Sequence, residues 1–480
     1  PYAVAIEPLE QERYRRDEHL LVTFEQATIS AFDFDRNLRS TTNTSKEEIN
    51  MPSALTRRHA LLGTVATGFS TLLLPSDASA CHNYKSPVTG KTGCGAKKAD
   101  AASGGSSKVS KPQSNSASNN SSDKIKVSGK VIKVSNGSQL TQALKNASAG
   151  QTIELGNGNY NGSFQINNSG NKNNAILIKA RSKLKAVLQK QLRVRGNYVV
   201  VSDLSFKGAG VTLFGANCRV TRCYFNGCGT AVGLQGAANA QVDHNEITRW
   251  NNTGVDCDPT YEGRKGTNPR IYRNHFYNGA NRNRNSAINL GQQSTDQPVA
   301  VNGIVEYNLV ENANKKYKTI YCKSSNNTFR YNTIINAQGM ENRHGKNNQF
   351  IGNWLQNCDA FVVADNNCRA EGNKCVNLKS GMRVMAGDIS SSQVPKQGGG
   401  VPFSYRCQII ENDVNTVLKI GSTYSGWKKT LPALETTVSG HKGKISQQAQ
   451  KKTNIVSGNR SKAGKKAKKL TAKQVGPYSA

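Results

Sequence analysis

Residues 326–353 read NNTFRYNTIINAQGMENRHGKNNQFIGN. A seven-residue unit opens and closes this stretch: Asn, five residues with an apolar one near the middle, then Asn. The same unit stands at 239–245 (NAQVDHN), 268–274 (NPRIYRN), 302–308 (NGIVEYN) and 367–373 (NCRAEGN), and at 217–223 (NCRVTRC) Cys takes the last place. The final positions, from Cys223 through Asn373, step by 22, 29, 34, 24, 21 and 20 residues. Short strands repeating with a period in the twenties, with insertions between them, predict a solenoid. Each turn of chain then hydrogen-bonds to the turns above and below at about 4.8 Å. Asn accepts left-handed backbone angles at corners, and its amide can bond along a stack of like amides. A propeller needs a longer repeat, and the Leu pattern of a leucine-rich horseshoe is missing. The predicted fold is all-β: a single-stranded right-handed parallel β-helix.

Upstream of the repeat, residues 130–160 (KVIKVSNGSQLTQALKNASAGQTIELGNGNY) read as strand, short helix, strand. The helix, Gln139–Asn146, is expected to cap the first coil at its N-terminal end. The β-helix domain is expected over 126–430. Residues 81–125 are rich in Ser, Asn and Gly and read as a flexible linker. Residues 51–80 (MPSALTRRHALLGTVATGFSTLLLPSDASA) carry Arg57-Arg58, an apolar run and a small-residue Ala78-Ser79-Ala80 site. They read as a twin-arginine-type signal peptide, so export to the periplasm or outside the cell is expected, without stable membrane insertion once the signal is removed. Residues 1–50 remain unassigned. Residues 431–480 are Lys-rich and read as a basic, disordered tail.

Sixty-four Lys and Arg against 31 Asp and Glu give a formal charge of +33, a field that attracts polyanions. Nucleic acid, an anionic membrane and an acidic polysaccharide all fit such a field and composition does not separate them, though export argues against nucleic acid. The 11 cysteines form no CxxC pair and the histidines are scattered, so a zinc site is not expected. Most of these cysteines read as small core residues, with disulfides as the alternative in an exported protein.

Lys323 and Arg343 lie 20 residues apart, the length of one short coil. A solenoid would stand these two cations side by side on one outer face, which is costly unless an anion binds there. Around them, Lys-Ser-Ser at 323–325, Asn-Thr at 332–333, Gln-Gly at 338–339 and Arg-His-Gly at 343–345 resemble the signature of polysaccharide lyase family 6. That family includes alginate lyases and chondroitinase B. The resemblance implies an enzyme that cleaves a 4-linked uronate polymer by β-elimination, with Lys323 as general base and Arg343 as general acid. Such chemistry needs the substrate carboxylate neutralised, the C5 proton removed and the leaving oxygen stabilised.

One departure bears on the cofactor. Relatives that use calcium carry acidic residues five and seven positions before the catalytic Lys, where this chain has Lys318 and Lys316. Ammonium groups cannot ligate calcium but can pair with the substrate carboxylate. A metal-independent, wholly cationic site without cofactor is therefore expected. Asn285 stands where relatives place an Asn at this site. His344 is expected to touch the sugar or hold Arg343, and Arg383 to bind a neighbouring uronate along the groove. Asp256 and Asp258 read as loop acids. Alginate is the first expected substrate, then chondroitin or dermatan sulfate. A C5-epimerase and a non-catalytic polysaccharide-binding solenoid are the other readings.

Overall fold

The computed structural model describes residues 82–85, 92–95, 129–281, 285–291, 299–313, 316–388, 404–424, 430–447, 454–458 and 460–479. The signal-like segment 51–80 and the extension 1–50 lie outside them. Within the segment expected to be a linker, His82–Lys85 pairs antiparallel with Thr92–Gly95.

Each coil contributes three short strands. The coil holding Lys323 consists of Ile304–Glu306, Leu309–Glu311 and Ile320–Lys323, and the next of Thr328–Arg330, Thr333–Ile335 and Gly339–His344. First strands stack into a 14-stranded parallel sheet, and second and third strands into a 22-stranded one. The last two rows join because Asp413–Ser422 continues both, pairing with Lys374–Val376 and with Gly381–Met385. The expected right-handed parallel β-helix is the fold found.

Alternation along the strands fills the interior. Val305, Phe329, Phe350 and Ala370, one per coil, are fully buried in register, with Phe329 and Phe350 stacked at 5.1 Å. At the N-terminal end α1 (Gly137–Lys145) turns Leu140 and Leu144 onto the first coils. The Asn136 side chain caps it by accepting from the Gln139 backbone N–H. This is the expected capping helix, starting two residues earlier.

The two asparagines of the repeat do different work. The first of each pair (Asn239, Asn268, Asn302, Asn326, Asn347, Asn367) sits at a corner with φ between 53° and 63°. The second (Asn245, Asn274, Asn308, Asn332, Asn353, Asn373) is fully buried. Its amide donates to a backbone carbonyl and to the carboxamide oxygen of the next coil; for Asn332 these are Val305 at 2.9 Å and Asn353 at 3.0 Å. Its own oxygen accepts the backbone and side-chain N–H of Asn308, at 3.1 and 3.0 Å. All four hydrogen-bonding positions of the side chain are used, so the buried amide carries no desolvation penalty.

The expectation of a disordered tail from 431 onward is overturned for the described residues. Lys442–Gln447 and Ile455–Ser457 add further strands to the two sheets. Residues 460–479 then lie back along the solenoid, where Leu470 and Val475 are buried against Leu309 and Ile335. The tail is basic yet supplies buried apolar residues at intervals, and these hold it down.

Candidate active site

The site lies on the outer face of the third strands. In-register pairing sets one outward residue per coil in a row: Asp256, Asn289, Tyr321, Glu341, Val362, Arg383. Next to this row the register breaks. Cys322 pairs with Asn342 but Lys323 pairs with His344, so Arg343 is an extra residue in a β-bulge. Arg343 therefore does not stand directly above Lys323, as equal coil spacing suggested. A bulge re-aims the inserted side chain, and Tyr321 links the two cations. Lys323 Nζ lies 4.5 Å from the Tyr321 ring centroid. Burial raises the pKa of the Tyr321 hydroxyl, and the Arg343 guanidinium is near enough for its charge to favour the phenolate against that burial. Lys323 is only 5% exposed, so it sits in the floor of the face and not on an open surface.

The Ser and Gly of the two signature motifs hold the backbone beneath these side chains. Ser324 Oγ donates to the Leu290 carbonyl (3.0 Å), and Ser325 Oγ accepts from the Lys346 backbone N–H (3.0 Å). Gly345 has φ 113°, and a Cβ there would fall 1.9 Å from the Ser324 carbonyl oxygen, so only glycine lets the two coils approach. Buried Asn327, Asn342 and Asn348 tie both loops from inside: Asn348 donates to Ser324 O (2.8 Å), Asn342 Oδ1 (2.9 Å) and Gly345 O (3.0 Å).

The site is not wholly cationic. Glu341, 2% exposed, forms an ion pair with Lys318 (3.0 Å) and accepts from the Tyr424 hydroxyl (2.7 Å). Lys318 is thus engaged inside the protein, because a buried carboxylate one coil away requires a partner. Lys316 is exposed. Asp256 lies in the strand Thr253–Asp258, not in a loop, and accepts from Asn289 Nδ2 at 2.8 Å. Burial raises its carboxyl above the usual range, with Asp258 adding to the effect while Asn289 and Lys323 oppose it.

Asn285 is fully buried and donates to the Trp250 and Ala280 carbonyls (3.2 and 2.6 Å), so it closes a corner away from the site. The asparagine facing the groove is Asn289. Insertions between coils shifted the count, and spacing could not correct for them. His344 is half-buried, and its pKa is pushed down to about 4 by burial and then by Arg343 and Lys323. It is neutral near pH 7. Arg343 is held charged: burial works against it, but Tyr321 and Glu341 raise its pKa. Arg383 lies two coils beyond Glu341 on the same row, donates to Ser422 Oγ (2.8 Å) and stacks 4.6 Å over the Tyr424 ring.

Tyr321, Glu341 and Tyr424 escaped the sequence reading. The first two were findable, since each lies two residues before Lys323 or Arg343 and so on the same strand face. Tyr424 lies 83 residues from Glu341, and nothing local marks it. The positions that would have to supply calcium ligands hold Lys318 and Lys316, and the buried carboxylate beside them already binds Lys318. That donor set does not fit a hard cation.

No curated protein matches the chain. Solved structures do. A mannuronic acid specific family 6 lyase from human gut microbiota has TM-score 0.56 and 20% identity, over 67% of this chain and 82% of its own. A family 6 polysaccharide lyase from Pseudopedobacter saltans has TM-score 0.63 and 17% identity, over 73% and 99%. A family 6 alginate lyase in complex with a trisaccharide has TM-score 0.58 and 15% identity, over 74% and 97%. At such identities these likenesses speak for the fold, the parallel β-helix. The sequence model described as Chondroitinase B matches residues 134–377, just over half of the chain. The chain belongs to polysaccharide lyase family 6 and is an enzyme of the lyase class.

Proposed function

We propose that the protein cleaves a 4-linked polyuronate, alginate first, by β-elimination without a metal. The observation that carries this reading is that Lys323 lies over Tyr321 on the floor of the third-strand face while the bulge one coil on brings the Arg343 charge to the same tyrosine. Lys323, as the free amine, takes the C5 proton. As that proton leaves, the C4–O bond breaks, and Arg343, set in the bulge near Tyr321, stabilises the charge on the leaving oxygen and hands it a proton late. Arg383 and the Lys318–Glu341 pair set the polarity of the face around it, and neutral His344 offers a hydrogen bond to the sugar. Relatives named as mannuronic acid specific and alginate lyases support alginate.

The test is a panel of alginate, dermatan sulfate and chondroitin sulfate, each with and without EDTA, read by the ultraviolet absorbance of the unsaturated product. Alginate turnover that survives EDTA is expected. Loss of all turnover in EDTA overturns the metal-independent reading. Exchange at C5 without unsaturated product would make the enzyme an epimerase.

We also propose that the chain folds before export. The nine cysteines among the described residues are all buried and unbonded, a core that thiol oxidation during folding would scramble. Thiol titration of the secreted protein should find them reduced and unreactive until it is denatured.

A further inference from the structure

The C-terminal segment 460–479 is a strap, and its sequence divides into two faces. Gly464, Ala467 and Leu470 are buried, while the lysine pairs 465–466 and 468–469 between them are exposed. The backbone is pinned far from its own neighbourhood: Gly464 N–H donates to Glu411 O (2.7 Å), Leu470 N–H to Thr333 Oγ1 (2.9 Å) and Gly476 N–H to Arg273 O (2.9 Å). Lys183 reaches up to the Pro477 carbonyl and lies 4.4 Å from the Tyr478 ring centroid. The strap therefore runs against the winding direction, over the corners at Glu411, Gly372, Gly352, Tyr331, Tyr307 and Arg273. At one coil per 4.8 Å this is roughly 25 Å of axis. The corners make room for it. Gly352 and Gly372 have φ of 60° and 62°, and a Cβ at either would meet Lys466 at 3.0 and 2.8 Å.

Seven cations and no carboxylate occupy 460–479. Among the described residues Lys466 pairs with Glu371, while Lys462, Lys465, Lys468, Lys469 and Lys473 make no ion pair. A disordered tail would let such like charges spread apart. Here buried anchors fix them in a line along the molecule, and fixed like charges repel until an extended anion lies across them. The line follows the corner between first and second strands, whereas the catalytic face is formed by third strands.

We propose that the strap is a second binding track, for a linear acidic polysaccharide, which holds long polymer on the enzyme outside the catalytic groove. The choice of polysaccharide over other polyanions rests on the lyase reading above. The test uses full-length protein carrying K465S, K468S, K469S and K473S together, with every buried anchor retained and an unchanged thermal midpoint as the folding control. Two readouts are taken: the salt needed to elute each protein from immobilised polyuronate, in a K323A background, and KM on polymer against KM on a trisaccharide. The elution salt should fall, and KM on polymer should rise about tenfold or more, with kcat and trisaccharide kinetics unchanged. Unchanged elution and polymer KM overturn the proposal. So does an equal loss on the trisaccharide, or a loss of binding confined to duplex DNA or anionic vesicles. If no polyuronate is turned over at all, the lyase reading fails, while the elution shift still decides the strap.

Discussion

The Asn ladder and the third-strand face are built from the same coils and obey opposite rules. In the ladder every coil repeats its neighbour, each amide oxygen and N–H is matched, and nothing is left for a ligand. On the third-strand face the register slips by one residue, buried carboxylates sit beside buried cations, and Asn289 Oδ1 has no hydrogen-bond partner among the described residues. Regular stacking satisfies backbone and side chain together, so it stabilises but recognises nothing. The irregular face keeps its polar groups incompletely matched, which leaves them able to bind, and the ladder a few residues away holds it in place.

Substitutions should separate the two regions. The largest effect expected is on rate: Lys323→Ala should lower turnover by about 10²–10⁴-fold with little change in thermal midpoint. A fall in stability that matched the loss of rate would mean Lys323 is structural. Next comes Gly345→Ala, which forces a Cβ against the Ser324 carbonyl at 1.9 Å and strains a φ of 113°. A cost of about 2–4 kcal/mol is expected in denaturant unfolding, together with lost activity, because both signature loops move. Asn332→Ala should cost about 2–3 kcal/mol, since it leaves Asn308 and Asn353 without their matched groups, yet activity per folded molecule should be retained. A smaller effect belongs to Tyr321→Phe, which keeps the ring under Lys323 but removes the hydroxyl whose electrostatics are coupled to Arg343. About a tenfold fall in kcat is expected, with folding intact.

The smallest effect is in pH. His344 on the third-strand face and His441 next to the ladder residue Asn412 are both pushed down to about 4, chiefly by burial. Below about pH 6.5 the unfolded chain binds protons that the folded chain refuses until about pH 4. The unfolded state thus holds more protons in that window, and stability falls as pH drops through it. His344→Gln should flatten the part due to the third-strand face, and His441→Gln the part due to the ladder end. Unfolding midpoints measured from pH 7 to 4 would show whether either change does so.

Much of this was legible beforehand. The Asn-to-Asn steps reveal a solenoid because the strand and its two asparagines recur from coil to coil while insertions are confined to the loops between strands, and the 20-residue step from Lys323 to Arg343 identifies a coil pair. Asn285 was mistaken for Asn289 because insertions of unequal length hide register. In the sequence Lys318 reads as a free cation, because its partner Glu341 becomes a neighbour only when coils stack. The tail reads as disordered because composition counts its lysines, while its attachment depends on three or four buried residues meeting corners up to nearly 300 positions away.

By itself, then, the sequence determined the periodic part: strand length, corner residues, the apolar and amide stacks, and which two motifs fall one coil apart. These depend on local backbone preference and on a repeat that each coil satisfies with its neighbours alone. Only the tertiary structure decided the bulge that displaces Arg343, the Lys318–Glu341–Tyr424 linkage and the path of the strap. Each arises where the stack is irregular or where distant segments meet, and there no local preference carries the information.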